Sequence, residues 1–180
     1  MADDELREVL IKQEVMFQGR MIRLDRDTVR LPNGVETTRE VVRHPGAVAV
    51  VALKDDHILL VRQYRYPIDQ TTLEIPAGKL DPGETPLACA KRELREETGY
   101  SGQLTFVGKF YSTPGFSDQI MHLFMATELV WSPLTADEDE FLSVVTIPWQ
   151  EALHMAQQSE FPDAKTILGI LMAAGRYVNS

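Results

Sequence analysis

The sequence predicts a mixed α/β fold with a small antiparallel sheet ahead of the main domain. Three observations predict it. Residues 14–43 alternate in character around a turn signal, strand-length apolar runs begin at residue 47, and the helical stretches do not alternate regularly with the strands. That mostly non-alternating order of elements disfavours a Rossmann arrangement.

The elements follow in order. In "LPNGVE", Asn33-Gly34 is a two-residue hairpin signal, so 14–43 reads as a small antiparallel sheet. Its apolar content is too low for it to stand alone, so it is expected to pack on the main domain or on a second subunit. "AVAVVAL" at 47–53 and "HILLVRQ" at 57–63 read as strands joined by the polar turn "KDD". "TLEIPAG" at 72–78 reads as one further short strand. A helix follows, with Thr85 as N-cap, Pro86 in its first position and Gly99 just past its end. Residues 103–111 and 120–130 read as strands around the turn-rich "STPGFSDQ", and 142–147 as a last strand after the acidic "TADEDE". "PWQEALHMAQQ" and "AKTILGILMAAGRYV" read as helices. The expected organisation is an N-terminal sheet over 1–43 and a main domain over 44–180.

At 180 residues the chain can bury a sizeable core, and its net charge of −9 argues against nucleic acid or an anionic membrane as partner. The single cysteine, Cys89, leaves no intramolecular disulfide and fits a reducing compartment; it reads as a small buried helix residue. "MADDELREVLIKQ" is acidic and has no apolar signal core, and no run approaches a membrane span, so a cytoplasmic location is expected. His44, His57, His122 and His154 are scattered, which leaves no zinc-type cluster.

The helix raises the functional question. Glu93, Glu96 and Glu97 fall on one arc of about 100° at helical geometry. Leu87, Ala90 and Leu94 gather on an adjacent face that can bury against a sheet. An acidic arc balanced by Lys91, Arg92 and Arg95 is one reading, a solvated face. An oxygen-rich site for Mg²⁺ or Mn²⁺ is the other, in which the ion relieves the repulsion between the carboxylates.

Spacing decides between them. In "GKLDPGETPLACAKRELREETGY", Gly78, Glu84, Arg92, Glu93, Leu94, Glu96, Glu97 and Gly99 fill the fixed positions of Gly-x5-Glu-x7-Arg-Glu-aliphatic-x-Glu-Glu-x-Gly-aliphatic, so the segment resembles the Nudix hydrolase signature. Tyr100 departs from it, standing where an aliphatic residue is preferred. "VRQYRYP", "EIPAGKLDPGE" and "YSTPGFSD" extend the resemblance to the ADP-ribose pyrophosphatase branch, over nearly the whole chain.

The resemblance implies a Nudix α/β/α sandwich with a mixed sheet, and Mg²⁺-dependent hydrolysis of ADP-ribose or a related nucleoside diphosphate sugar, Mn²⁺ substituting. It implies Glu93 and Glu97 as principal metal ligands, Glu96 assisting and the Ala77 carbonyl adding an oxygen, with Arg92 orienting the glutamates and Glu84 supporting either the loop or a metal from behind its direct ligands. Of the late acidic loop it implies Glu138 as base and Glu140 as ligand. Arg39 and Arg65 match positions on the substrate phosphates, Glu74 one near the terminal ribose, and Ser117 lies in a loop that shapes the sugar end. Gln119 stands where relatives often carry an acid, so that loop is assigned no catalysis. A homodimer exchanging N-terminal sheets is implied, with Phe17 or Met21 open as the residue stacking on adenine. Other Nudix substrates (GDP-mannose, oxidised nucleoside triphosphates) and a non-catalytic nucleotide-sugar sensor are the alternatives.

Overall fold

The computed structural model describes residues 3–135 and 141–177. The chain divides into two compact units, one of residues 1–46 and 111–120, the other of 47–110 and 121–180.

The first unit is a three-stranded antiparallel sheet of β1 (Val9–Gln18), β2 (Arg23–Arg30) and β3 (Glu36–Arg43), in that order. The turn between β2 and β3 is one residue wider than the sequence suggested. Gly34 N–H reaches Leu31 O and Leu31 N–H reaches Val35 O, so Pro32, Asn33 and Gly34 form a three-residue loop. Pro32 sets the first corner, and Gly34 at φ +84° takes the left-handed position such a loop needs. The sheet is built around charge. Buried Asp25 accepts from Arg23, Arg43 and Gln13, and Asp27 from Arg43. Most apolar side chains of β1, among them Val9, Leu10, Val15, Met16 and Phe17, are exposed.

The second unit is a seven-stranded mixed sheet between helices. Its path is β10 (Leu142–Pro148), β5 (His57–Arg65), β4 (Ala47–Lys54), β9 (Ile120–Trp131), β8 (Tyr100–Tyr111). β6 (Gln70–Glu74) pairs with β5, and β7 (Ala77–Lys79) with β4. The stretch read as one strand at 72–78 is therefore two. Pro76 has no N–H for a ladder, and the chain crosses there from β5 to β4, held by Val50 N–H on Pro76 O at 2.8 Å. β4 and β5 meet through a tight turn in which Asp55 and Asp56 both have positive φ.

β4 is buried on both faces, as its continuous apolar run requires. Val48, Val50 and Ala52 join Leu59 and Phe124 under α1 (Pro86–Thr98), through Cys89, Ala90 and Leu94. Ala47, Ala49, Val51 and Leu53 point the other way, into a core with Trp149 and Ala152 of α2 (Trp149–Gln157) and Ile170 and Ala173 of α3 (Ala164–Tyr177). This is an α/β/α sandwich. Leu87 departs from expectation: it is 43% exposed, and Cys89 takes its place on the buried face of α1. Leu87 lies in the first turn, where Ala88 is exposed as well.

Candidate active site

The site begins with how α1 is started and stopped. Thr85 Oγ1 accepts from Ala88 N–H at 3.2 Å, Pro86 occupies the first turn, and Gly99 closes the helix at φ +77°. With Ala90 and Leu94 fixed against the sheet, the Glu93 and Glu97 side chains are carried inward, and both residues are buried. Glu96 stays partly exposed.

Two close approaches join this helix to the strand before it. A Cβ placed on Gly78 would lie 1.8 Å from Glu93 Oε1, so the Glu93 carboxyl rests where any other residue would carry its side chain. Next to it, Ala77 N–H donates to Glu97 Oε2 at 2.8 Å. The carboxyls of Glu93 and Glu97 are thus both fixed against β7, beside the residue whose carbonyl the sequence reading offers as a further oxygen.

Arg92 is the hub of the remaining acids. Its guanidinium donates to Glu84 through Nε at 3.0 Å and Nη2 at 2.9 Å, to Glu93 at 2.7 Å and to Glu96 at 2.9 Å. It also reaches the Lys79 carbonyl at 3.2 Å, tying the loop before α1 to the helix. The Arg92 hydrogen bonds hold the Glu84 carboxyl at about 2, and the Glu84 side chain in turn raises the guanidinium above its usual range. Cys89, beneath this cluster, is buried; desolvation and the nearby Glu93 and Glu84 charges push its thiol well up, so it is inert.

The donor set fits a hard divalent cation. It is all oxygen, and two of its carboxyls are buried and anchored next to a backbone carbonyl. Among the described residues, however, no three acidic, histidine or cysteine side chains converge as a ready ligand set. Arg92 engages one oxygen each of Glu93 and Glu96, so those oxygens turn towards a guanidinium.

The remaining predicted residues fall as follows. Arg65, on β5, makes a two-point ion pair with Glu74 at 2.7 and 2.6 Å. Glu74 is 1% exposed and also receives the Thr72 hydroxyl at 2.5 Å and the Lys165 ammonium. Burial pushes the Glu74 carboxyl up, but the Arg65 and Lys165 contacts outweigh it and hold it at about 2. Arg65 and Glu74, two of the four residues expected at the substrate, are therefore partners of each other. In the first unit, Arg39 pairs with Glu8 at 2.6 Å on an exposed surface. Ser117 is buried, donating to Val42 O at 3.1 Å and accepting from Gln119 N–H at 3.2 Å, which fixes its own loop. Gln119 accepts from Ser112 at 2.7 Å. Glu138 and Glu140 lie outside the described residues.

Sequence reasoning missed Lys165, Asp163 and Thr166, which gather at the start of α3 and reach Glu74 and Ile75. The one local signal was Asp163 before a helical run, a capping residue. Contacts to residues 91 positions earlier leave no trace in spacing.

Comparison with known proteins gives the family. The Nudix domain family matches residues 42–168. An ADP-ribose pyrophosphatase of Bacillus subtilis is 46% identical over 169 residues, covering 92% of this chain and 91% of that protein. A methanol dehydrogenase activator of Bacillus methanolicus is 44% identical over 167 residues, covering 91% and 90%. A solved structure described as an ADP compounds hydrolase superposes with a TM-score of 0.85 at 25% identity, covering 96% of this chain and 95% of that one. The chain belongs to the Nudix hydrolase family. Enzymes of this family generally need a divalent metal. No described helix is long and apolar enough to cross a membrane.

Proposed function

We propose that this protein hydrolyses the diphosphate of ADP-ribose, adding water across one P–O–P bridge to give AMP and ribose 5-phosphate. The observation that supports the reading best is the meeting of two motif segments: the Glu93 carboxyl against Gly78, and the Glu97 carboxyl on the Ala77 amide. The 46% identical relative named for this activity, covered over nine-tenths of its length, supports the choice of substrate.

Mg²⁺ is the proposed cofactor, with Mn²⁺ able to substitute. When bound it would offset the phosphate charge and make water a stronger acid near neutral pH. Glu93 and Glu97 would hold it, with Glu96 and the Ala77 carbonyl assisting. Arg92 keeps Glu84, Glu93 and Glu96 in fixed orientation, and its single positive charge leaves the cluster strongly acidic. Glu138 is the proposed base that takes the proton of the attacking water, and Glu140 a further ligand. Arg65 would share its guanidinium between Glu74 and a substrate phosphate, while Glu74 accepts from a ribose hydroxyl. Arg39 and Ser117 are assigned to the substrate through the N-terminal sheet and its loop. The exposed apolar side chains of β1 support a homodimer formed through that sheet. The cytoplasm is the proposed location.

A substrate panel tests the reading. ADP-ribose, GDP-mannose and an oxidised deoxynucleoside triphosphate are each incubated with the protein and Mg²⁺, and the products are separated. AMP from ADP-ribose at the highest kcat/KM is expected. Preferred turnover of the triphosphate with release of pyrophosphate would overturn it.

A further inference from the structure

The four residues Glu74, Ile75, Pro76 and Ala77 carry the chain from β6 to β7, and each is held by a neighbouring element. The Glu74 carboxyl receives Arg65 from β5 and Lys165 from α3. Ile75 N–H donates to Thr166 Oγ1 at 3.0 Å, Pro76 O accepts from Val50 N–H, and Ala77 N–H donates to Glu97 on α1. Two of these holds come from the first turn of α3. Asp163 braces that turn: its Oδ2 accepts from Thr166 N–H at 3.0 Å, from the Thr166 hydroxyl at 2.5 Å and from Lys165 Nζ at 2.9 Å. One turn on, Gly169 permits the approach, since a Cβ there would stand 2.7 Å from Ile75 Cδ1.

Stability alone gives no reason for this arrangement. The Lys165 side chain is only 13% exposed, and a buried ion pair is often no more stabilising than apolar residues of the same volume. Arg65 already supplies Glu74 with two charge-assisted hydrogen bonds. What the lysine adds, beyond Arg65 and the Thr72 hydroxyl, is a tie from the carboxyl to α3. The Thr166 hydroxyl adds a fixed position for the next amide. Together they leave 74–77 one arrangement, and that arrangement presents the Ala77 amide to Glu97.

We propose that Lys165 and Thr166, in the first turn of α3, are positioning residues for the carboxylate site: they fix the 74–77 segment and thereby the orientation of Glu97. The inference rests on the metal-dependent hydrolysis proposed above.

The test uses the full chain and three readouts: melting temperature, Mn²⁺ affinity of the metal-free protein by electron paramagnetic resonance, and kcat and KM for ADP-ribose well below each melting point. Lys165→Met is expected to weaken Mn²⁺ binding and lower kcat by about 10- to 100-fold, the range typical when support of a metal ligand is lost. KM should rise as well, because Lys165 also fixes Glu74, and Lys165→Arg should recover most of both losses. Thr166→Val should act in the same direction and Thr166→Ser should not; this pair decides if Lys165→Met does not fold. Unaltered Mn²⁺ affinity and kcat in the folded Lys165→Met or Thr166→Val variant, with only the melting point moved, overturns the inference while leaving the hydrolase reading intact. Failure of the unsubstituted protein to bind Mn²⁺ or cleave ADP-ribose overturns both.

Discussion

The Glu93 carboxyl occupies the space beside Gly78 where a side chain would begin, with Oε1 1.8 Å from the ideal Cβ position. Helix and strand are locked together there by the absence of one carbon. Gly78→Ala must displace the carboxyl or the strand. A shift of about 1 Å at a site that positions reactants can cost roughly 100-fold. Steady-state kinetics of Gly78→Ala should show a fall in kcat of that order, and circular dichroism a largely preserved fold.

Glu97→Gln removes one charge and keeps an oxygen that can accept from the Ala77 amide. The fold should survive, with a melting point within a few degrees of the parent, while kcat falls by at least about 100-fold. Activity at the parental level would remove Glu97 from the metal site.

Acid should unfold the protein through carboxyls that fold with low pKa values. Glu74 and Glu84 are held at about 2 against an ordinary 4.5. A depressed folded value means stability that is complete above pH 4.5 and is lost as pH falls towards 2. Urea midpoints should be flat down to about pH 5 and then decline through that window. Glu74→Gln should cost roughly 3 kcal/mol at neutral pH, because it removes the carboxylate charge from Arg65 and leaves Lys165 only Asp163, and should make the decline shallower.

The packing of α1 gives a prediction independent of chemistry. Leu94 is fully buried in the core between α1 and β4. Leu94→Ala should destabilise by about 2–5 kcal/mol in urea unfolding, with thermal denaturation moving the same way.

Cys89 should be silent until the fold opens. Its thiol is buried and shifted upward, so a thiol-specific reagent should label it only slowly in buffer, and labelling should rise together with the urea transition. Fast labelling of the native protein would contradict the placement of the buried face of α1.

These features differ in how far they could be read from the chain. The caps and the glutamate spacing of α1 are local, and local chemistry is what a sequence states directly; Thr85, Pro86 and Gly99 fall where their residue types require. The burial of β4 was likewise legible in its unbroken apolar run. The break at Pro76 was not, because it depends on which neighbouring strand each half finds. Leu87 was assigned to the buried face by periodicity, but it is exposed in the first turn of α1, and Cys89 is buried instead. The pairing of Arg65 with Glu74 could be guessed from neither residue alone, and Lys165 joins them from the far end of the chain. Non-local charge pairing is decided by the fold, so it appears only once the fold is drawn.

One measurement tests the central claim most directly. ADP-ribose is incubated with the protein in Mg²⁺, and in parallel with Mg²⁺ chelated, and AMP and ribose 5-phosphate are quantified over time. Equal amounts of the two products with Mg²⁺, and none without it, are predicted. Intact ADP-ribose in both samples, or equal cleavage in both, would contradict the account.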